Sequence, residues 1–345
     1  MTTNRKQIWS LTWPIIIANL TIPLVGLTDT IIMGHMPDSK FLAAIAIGGI
    51  VFNFLYAGLN FFRMGTTGII AQELGKRNNL ELLYGLLRPL LLSIILGIIL
   101  YFLRDLIIEI TLYLIKPENQ IIPFFKQYLL TRIIGLPFGL MNMVFLGWFF
   151  GMQKSKAVMI QLISINAVNI ISSIFLGVIL NYGIFGVALG SVIAQFIGLL
   201  ISILIFINYY KLKKEKQYEL KQVLSFTHLI RLFNISVDLF VRTIFLISGK
   251  TFLIYKAGII GINELATIEI VIIIFSLSTY SLDAFAHTAE TMVGKAIGSK
   301  NKFVLKKAIL LSTEMAVGTA VIISLVLFTF QNFIINSITD IIILR

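Results

Sequence analysis

Residues 184–208 read IFGVALGSVIAQFIGLLISILIFIN, a run without a single Asp, Glu, Lys or Arg. As a helix rising about 1.5 Å per residue it is about 37 Å long, more than the roughly 30 Å of a bilayer's hydrocarbon core. Its apolar residues are continuous rather than alternating with period two. The backbone must therefore satisfy its own hydrogen bonds within the segment, which selects a helix over a barrel strand. Similar runs occupy 10–34, 43–72, 84–103, 126–151, 156–180, 229–254, 262–292 and 306–331. The expected fold is all-α, a polytopic helical membrane protein. Composition agrees: 58% of residues are hydrophobic and 13% charged, with mean hydropathy +0.94, against about 45–50% and about 25% in soluble domains. A tenth apolar segment, 333–344, is too short to span, so a C-terminally truncated chain is expected. The first nine residues hold too few apolar side chains for a cleavable signal, and the first span is expected to direct its own insertion. The absence of cysteine excludes disulfides and thiolate metal sites.

A net charge of +12 would suit a nucleic-acid binder, and the placement of the cations argues against one. Lys and Arg alternate by loop between the spans. One side holds Arg5, Lys6, Lys76, Arg77, Arg88, Lys154, Lys156, the cluster Lys211 to Lys221, Arg231, Lys295, Lys300, Lys302, Lys306 and Lys307. The other holds only Lys40, Arg104, Lys116, Lys126, Arg132, Lys250 and Lys256. This positive-inside bias predicts a cytoplasmic N-terminus in a cell (inner) membrane and accounts for the charge without nucleic acid.

A repeat sets the organisation. Ala71-Gln72-Glu73-Leu74-Gly75-Lys76-Arg77-Asn78 closes the second span, and Gly294-Lys295-Ala296-Ile297-Gly298-Ser299-Lys300-Asn301 closes the eighth, 223 residues later. Six spans separate the two, so the halves share one orientation, as in transporters with parallel repeats. The reading is an N-lobe of six transmembrane helices (1–208), a basic cytoplasmic linker (209–226), and an incomplete C-lobe of about three helices (227–345).

Ionisable residues within spans are the functional candidates, because each is costly in hydrocarbon unless paired or wet. Asp29 lies deep in the first span, six residues after Pro23, whose missing N–H permits a helix bend. Proton or sodium occupancy of this carboxyl could be coupled to helix shape, against the plainer reading that it satisfies a neighbouring helix. Asn166, Asn169 and Ser173, spaced i, i+3, i+7, share a helix face, with interhelical polar packing as the plain alternative. Asp238 and Arg242 fit an internal ion pair at i, i+4. Asp283, His287 and Glu290, at i, i+4, i+7, either line a wet cavity or are neutralised across the lobe interface by Arg63. Phe52, Phe54, Tyr56, Phe61, Phe62 and Met64 could form an adaptable wall for an amphiphilic substrate, or simply face core and lipid.

Several motifs carry a family resemblance. Gly26-Leu27-Thr28-Asp29-Thr30-Ile31-Ile32-Met33-Gly34-His35, preceded by Pro14 and Pro23, resembles the first helix of MATE (multidrug and toxic compound extrusion) transporters. Arg63-Met64-Gly65-Thr66-Thr67-Gly68, Asp238-Leu239-Phe240-Val241-Arg242-Thr243, and Leu282-Asp283-Ala284-Phe285-Ala286 followed by Ala289-Glu290 are similar to its DinF branch. The resemblance covers essentially the whole chain. It implies twelve helices in two six-helix lobes, of which about three are missing here. It also implies that Asp29 matches the coupling aspartate of the family, and that Asn169 and Ser191 match two further cation-site positions. Ser173 stands where relatives carry a second aspartate, which removes one negative charge from the expected site.

The resulting expectation is a cation-coupled (H+ or Na+) antiporter that exports amphiphilic, cationic drug-like compounds by alternating access. No cofactor is expected beyond the transported ion, and the expected partners are membrane lipid, the small-molecule substrate and a separate chain supplying the missing helices. A lipid or lipid-linked saccharide flippase of the same superfamily, or a non-transporting remnant, are the alternatives. An enzyme is disfavoured: His35, His228 and His287 form no metal pair, and Gly249-Lys250-Thr251 lacks the preceding glycine of a phosphate loop, Ile244 standing there.

Overall fold

The computed structural model describes residues 4–34, 39–209 and 226–331, with the side chains of 226–240 left outside the description. The described residues are helical throughout the expected spans. The first span is α1 (Arg5–Leu20) and α2 (Ile22–Gly34), the second α3 (Ser39–Gly58) and α4 (Phe61–Lys76), the third α5 (Asn79–Phe102). The short α6 (Arg104–Ile115) follows. The fourth span joins α7 (Ile122–Arg132) to α8 (Leu136–Gly151) through a 3-10 turn, Ile133–Gly135. The fifth is α9 (Ser155–Ile174) closed by a π turn, Phe175–Ile179, and the sixth α10 (Gly183–Tyr209). α11 (Phe226–Ile260), α12 (Ile262–Gly298) and α13 (Lys302–Thr329) complete the set.

Among the described residues, eight segments are long and apolar enough to cross a bilayer. α12 covers the remaining expected span, and carries Asp283, His287 and Glu290 within it. Two features depart from expectation. Between the third and fourth spans, where the sequence reading places no element, residues 104–115 form a helix; at 12 residues α6 is too short to cross. Arg88 and Arg132 are not loop cations. Arg88 is buried inside α5 and held by Glu81 through bonds of 2.8 and 3.3 Å, and Arg132 ends α7 inside the fourth span. Both lie inside the expected spans 84–103 and 126–151, where Glu81 on the same helix satisfies Arg88, and Tyr128 of α7 with Phe52 of α3 supports Arg132. The linker and the segment 333–344 lie outside the described residues, apart from the linker's ends.

α4, α5, α9 and α10 pack around α8, whose Leu140, Val144, Trp148 and Phe149 are fully buried. Trp148 donates its indole N–H to the Leu82 carbonyl at 3.0 Å, so even the largest core side chain has its polar atom satisfied. A smaller core of Ile8, Phe285, Met292 and Ala308 forms where α1 meets α12 and α13. Elsewhere large apolar side chains point outward, Leu204 and Phe328 among them, as expected where the solvent is lipid. Where the two repeats meet, glycines admit the close approach: a Cβ on Gly294 would stand 2.7 Å from that of Ala71, the small-residue packing typical of membrane helices. Nearby, Lys295 Nζ donates to Gln153 Oε1 at 3.0 Å.

Candidate functional site

The first span breaks where Pro23 removes a backbone donor. α1 ends at Leu20 and α2 begins at Ile22, and Asn166 of α9 donates to the hydroxyl of Thr21 at 2.6 Å. Asn166 therefore serves the break, while the rest of its helix face serves Asp29, two turns further on.

Four of the expected residues meet there. Asn169 donates to Ser191 Oγ at 3.2 Å, and Ser173 donates to Asn169 Oδ1 at 3.2 Å. All three are buried, as is Asp29. Gly190 makes the contact possible, since a Cβ there would lie 2.8 Å from the Ser173 backbone nitrogen, and only glycine lets α10 approach α9 so closely. The π turn begins two residues after Ser173, and such turns recur at functional sites. Asp29 Oδ1 is buried without a hydrogen-bond partner among the described residues. The polar groups acting on its carboxyl are the Arg132 guanidinium and the Ser173 hydroxyl. A buried carboxyl with a free oxygen is costly unless something binds it.

Arg132 was not among the expected site residues. It donates to the Tyr128 hydroxyl, and its Cζ lies 4.5 Å from the Phe52 ring centroid and 5.5 Å from that of Tyr128. Gly48 packs directly on the Tyr128 ring. A signal existed in the sequence: Arg132 follows Lys126-Gln127-Tyr128 by one helical turn, at the spacing that puts Tyr128 and Arg132 on one face. Of the two readings of the aromatic set, the plainer one, core and lipid facing, describes Phe52, Phe62 and Phe54. Phe52 and Phe62 are core residues and Phe54 points outward, because successive helical positions face in different directions.

A second polar cluster lies between α4 and α12. Arg63 Nε donates to Asn60 Oδ1 at 3.0 Å, and Arg63 Nη1 lies 3.3 Å from His287 Nδ1. Glu290 Oε2 is 3.8 Å from the same nitrogen. The His287 ring sits 4.8 Å from that of Phe150, over which the Arg63 guanidinium also lies at 5.7 Å. Glu290 and Asp283 both act electrostatically on Arg63, so the structure brings Arg63 to the α12 set, although Asp283 itself is exposed. On the same seam Thr12 and Thr288 share a 2.9 Å hydrogen bond, and Asn19 donates to the Tyr280 carbonyl at 2.9 Å. Arg242 is exposed and the side chain of Asp238 lies outside the described residues, so their expected pair is not described. Among the described residues no group of three or more His, Asp or Glu is arranged to hold a metal ion.

The MatE family model matches residues 14–183. The chain is 31% identical over 301 residues to DNA damage-inducible protein F of Escherichia coli (strain K12), covering 87% of this chain and 65% of that protein. It is 25% identical over 355 residues to the uncharacterized transporter YisQ of Bacillus subtilis (strain 168), covering 97% of this chain and 74% of that one. Among solved structures it resembles a MATE protein in its straight conformation, with TM-score 0.84 at 19% identity over 99% of this chain and 76% of that one. It likewise resembles a MOP superfamily transporter from Pyrococcus furiosus Vc1 (DSM3638), with TM-score 0.83 at 20% identity over 99% and 76%. The structural likeness carries the fold. The chain spans about two thirds, 65%, of the length of the first of these relatives.

Proposed function

We propose that this chain, whose residues 14–183 match the MatE family model and which is similar to a protein named as a transporter, acts in the cell membrane as a cation-coupled exporter of amphiphilic, cationic small molecules. The observation that carries this reading is the free, buried Oδ1 of Asp29 on a helix already broken at Thr21. A carboxyl in that place gains and loses a cation at a cost that depends on how the broken helix is bent, so occupancy and helix shape are one equilibrium. Asn169, Ser173 and Ser191 supply neutral oxygens around it. The interlobe cluster of Arg63, His287 and Glu290 spans the two repeats and would be remade as the lobes rock. With the basic loops on the cytoplasmic side, the N-terminus is cytoplasmic. No cofactor beyond the transported ion is needed, and helices additional to those described, on this polypeptide or on a partner chain, complete the second lobe.

The test is efflux of a fluorescent cationic amphiphile from proteoliposomes under an imposed pH or Na+ gradient. Wild-type protein should respond to a gradient, and Asp29→Asn should abolish the response with folded yield unchanged. Efflux unaltered by Asp29→Asn would exclude the mechanism, and gradient-independent movement of a labelled lipid would instead identify a flippase.

A further inference from the structure

We infer that His287 is a second proton-binding site, set on the seam between the two repeats, and that its occupancy frees α12 from α4. The site is separate from Asp29 and does not depend on the role proposed for that residue.

The seam is closed at one end by Gly75 of α4 and Gly298 of α12, where a Cβ on the first would lie 3.0 Å from the Cα of the second. Arg63 and His287 lie roughly three turns from those glycines along the same two helices. Arg63 Nη1 is 3.3 Å from His287 Nδ1. A guanidinium can only donate, so Nδ1 accepts and the neutral ring carries its hydrogen on Nε2. The lone pair on Nδ1 is what joins α12 to α4 at this point.

A proton needs that same lone pair. Once it is bound, the ring presents an N–H to the N–H of Arg63. Two cations then crowd the ring of Phe150, which lies 4.8 Å from that of His287 and 5.7 Å from the Arg63 guanidinium, and the contact between the helices becomes repulsive. Glu290 Oε2, 3.8 Å from the same nitrogen and one turn further along α12, is the acceptor that suits the new N–H. Arg63 keeps its bond to Asn60 Oδ1 at 3.0 Å, within the first repeat. One proton thus exchanges a bond across the seam for a bond within α12, and each repeat retains a satisfied partner. The side chains of His287 and Glu290 are 20% and 26% exposed, so a proton reaches them from outside the packed core.

The charged groups acting on His287 are Arg63, Glu290 and Asp283. The other elements packed on α12 are α1, α8, α11 and α13. α8 has no ionisable residue. α1 has its cations, Arg5 and Lys6, about two turns from Thr12, the residue that meets Thr288. α13 has Lys302, Lys306 and Lys307 near its start and Glu314 paired with Arg5. α11 has Arg242, which is exposed, and Asp238, whose side chain lies outside the described residues.

The test uses the full chain in the Asp29→Asn background, so that a failure of the Asp29 reading leaves it untouched. With His35 and His228 replaced by Gln, His287 is the remaining histidine, and nitrogen NMR of the labelled ring reads which of its nitrogens carries hydrogen. Spin labels on Leu80→Cys and Phe303→Cys read lobe separation in a chain with no native cysteine; both positions are exposed, and at 223 residues apart they are equivalent in the repeat. At about pH 8 Nδ1 should be bare, and on acidification to about pH 5 both nitrogens should carry hydrogen. Over the same range the ratio of separated to closed lobes should rise roughly tenfold or more, as loss of one such hydrogen bond implies. His287→Gln should hold one distance distribution at every pH. A hydrogen on Nδ1 at alkaline pH overturns the proposal, as does a ring that stays neutral throughout. Titration of the ring without lobe separation, or pH-dependent separation that survives in folded His287→Gln, overturns it equally. Should His287→Gln not fold, Glu290→Gln stands in: removing the acceptor should move both transitions to lower pH, and unshifted transitions overturn the proposal.

Discussion

Gly75 and Gly298, 223 residues apart and equivalent in the internal repeat, face each other: a Cβ on Gly75 would lie 3.0 Å from the Gly298 Cα and 2.8 Å from the Ser299 nitrogen, and one on Gly298 would collide with the Gln72 carbonyl. Each repeat thus presents the same small residue to the other, as a two-fold relation about the membrane normal requires. The contact closes the bundle at the end that carries the basic loops.

If the lobes rock, this contact must open. The chain has no cysteine, so Ala71→Cys with Gly294→Cys forms a clean pair on the same seam. Oxidation should cross-link α4 to α12 and stop efflux, with activity restored by a reductant; a pair that cross-links fully without affecting efflux argues that the seam stays shut throughout the cycle.

Gly190→Val tests the placement of the Asp29 site. The added side chain meets the backbone of Ser173 and has nowhere to move, so α10 must retreat and the 3.2 Å Asn169–Ser191 bond is lost. Overpacking of this kind costs about 1–3 kcal/mol. Thermal unfolding in detergent should show that loss together with weakened gradient-driven efflux, whereas Gly49→Ala, at a position with open space, should leave both unchanged.

Arg63→Gln removes the cation facing His287, Glu290 and Asp283. Glu290 is about a quarter exposed on its side chain, so the loss is moderated by solvent and should amount to about 1–3 kcal/mol. A double-mutant cycle with Glu290→Gln reports the pair directly: the double variant should recover part of the loss, and strict additivity would show that the two residues do not interact.

Arg88→Lys looks conservative and should not be. Arg88 reaches both oxygens of Glu81 through two separate nitrogens and stacks 5.1 Å from the Tyr84 ring, a geometry that an ammonium cannot reproduce. A lowered melting temperature is expected for Arg88→Lys, and a melting temperature equal to wild type would mean that charge alone suffices.

The sequence determined the membrane-spanning fold, because uncharged runs of this length leave the backbone no solvent but itself. It also determined the repeat and the candidacy of Asp29, since an aspartate deep in such a run is rare and Pro23 nearby marks a broken helix. The grouping of Asn169, Ser173 and Ser191 with Asp29 was legible from helical spacing and resemblance together. Only the tertiary structure decided where the cations lie. The loop-by-loop count of cations groups Arg88 and Arg132 with the loops although both fall inside hydropathic spans, because a count records a charge without its partner. The partners of these two residues, Glu81 in one case and Phe52 with Tyr128 in the other, are fixed by side-chain packing.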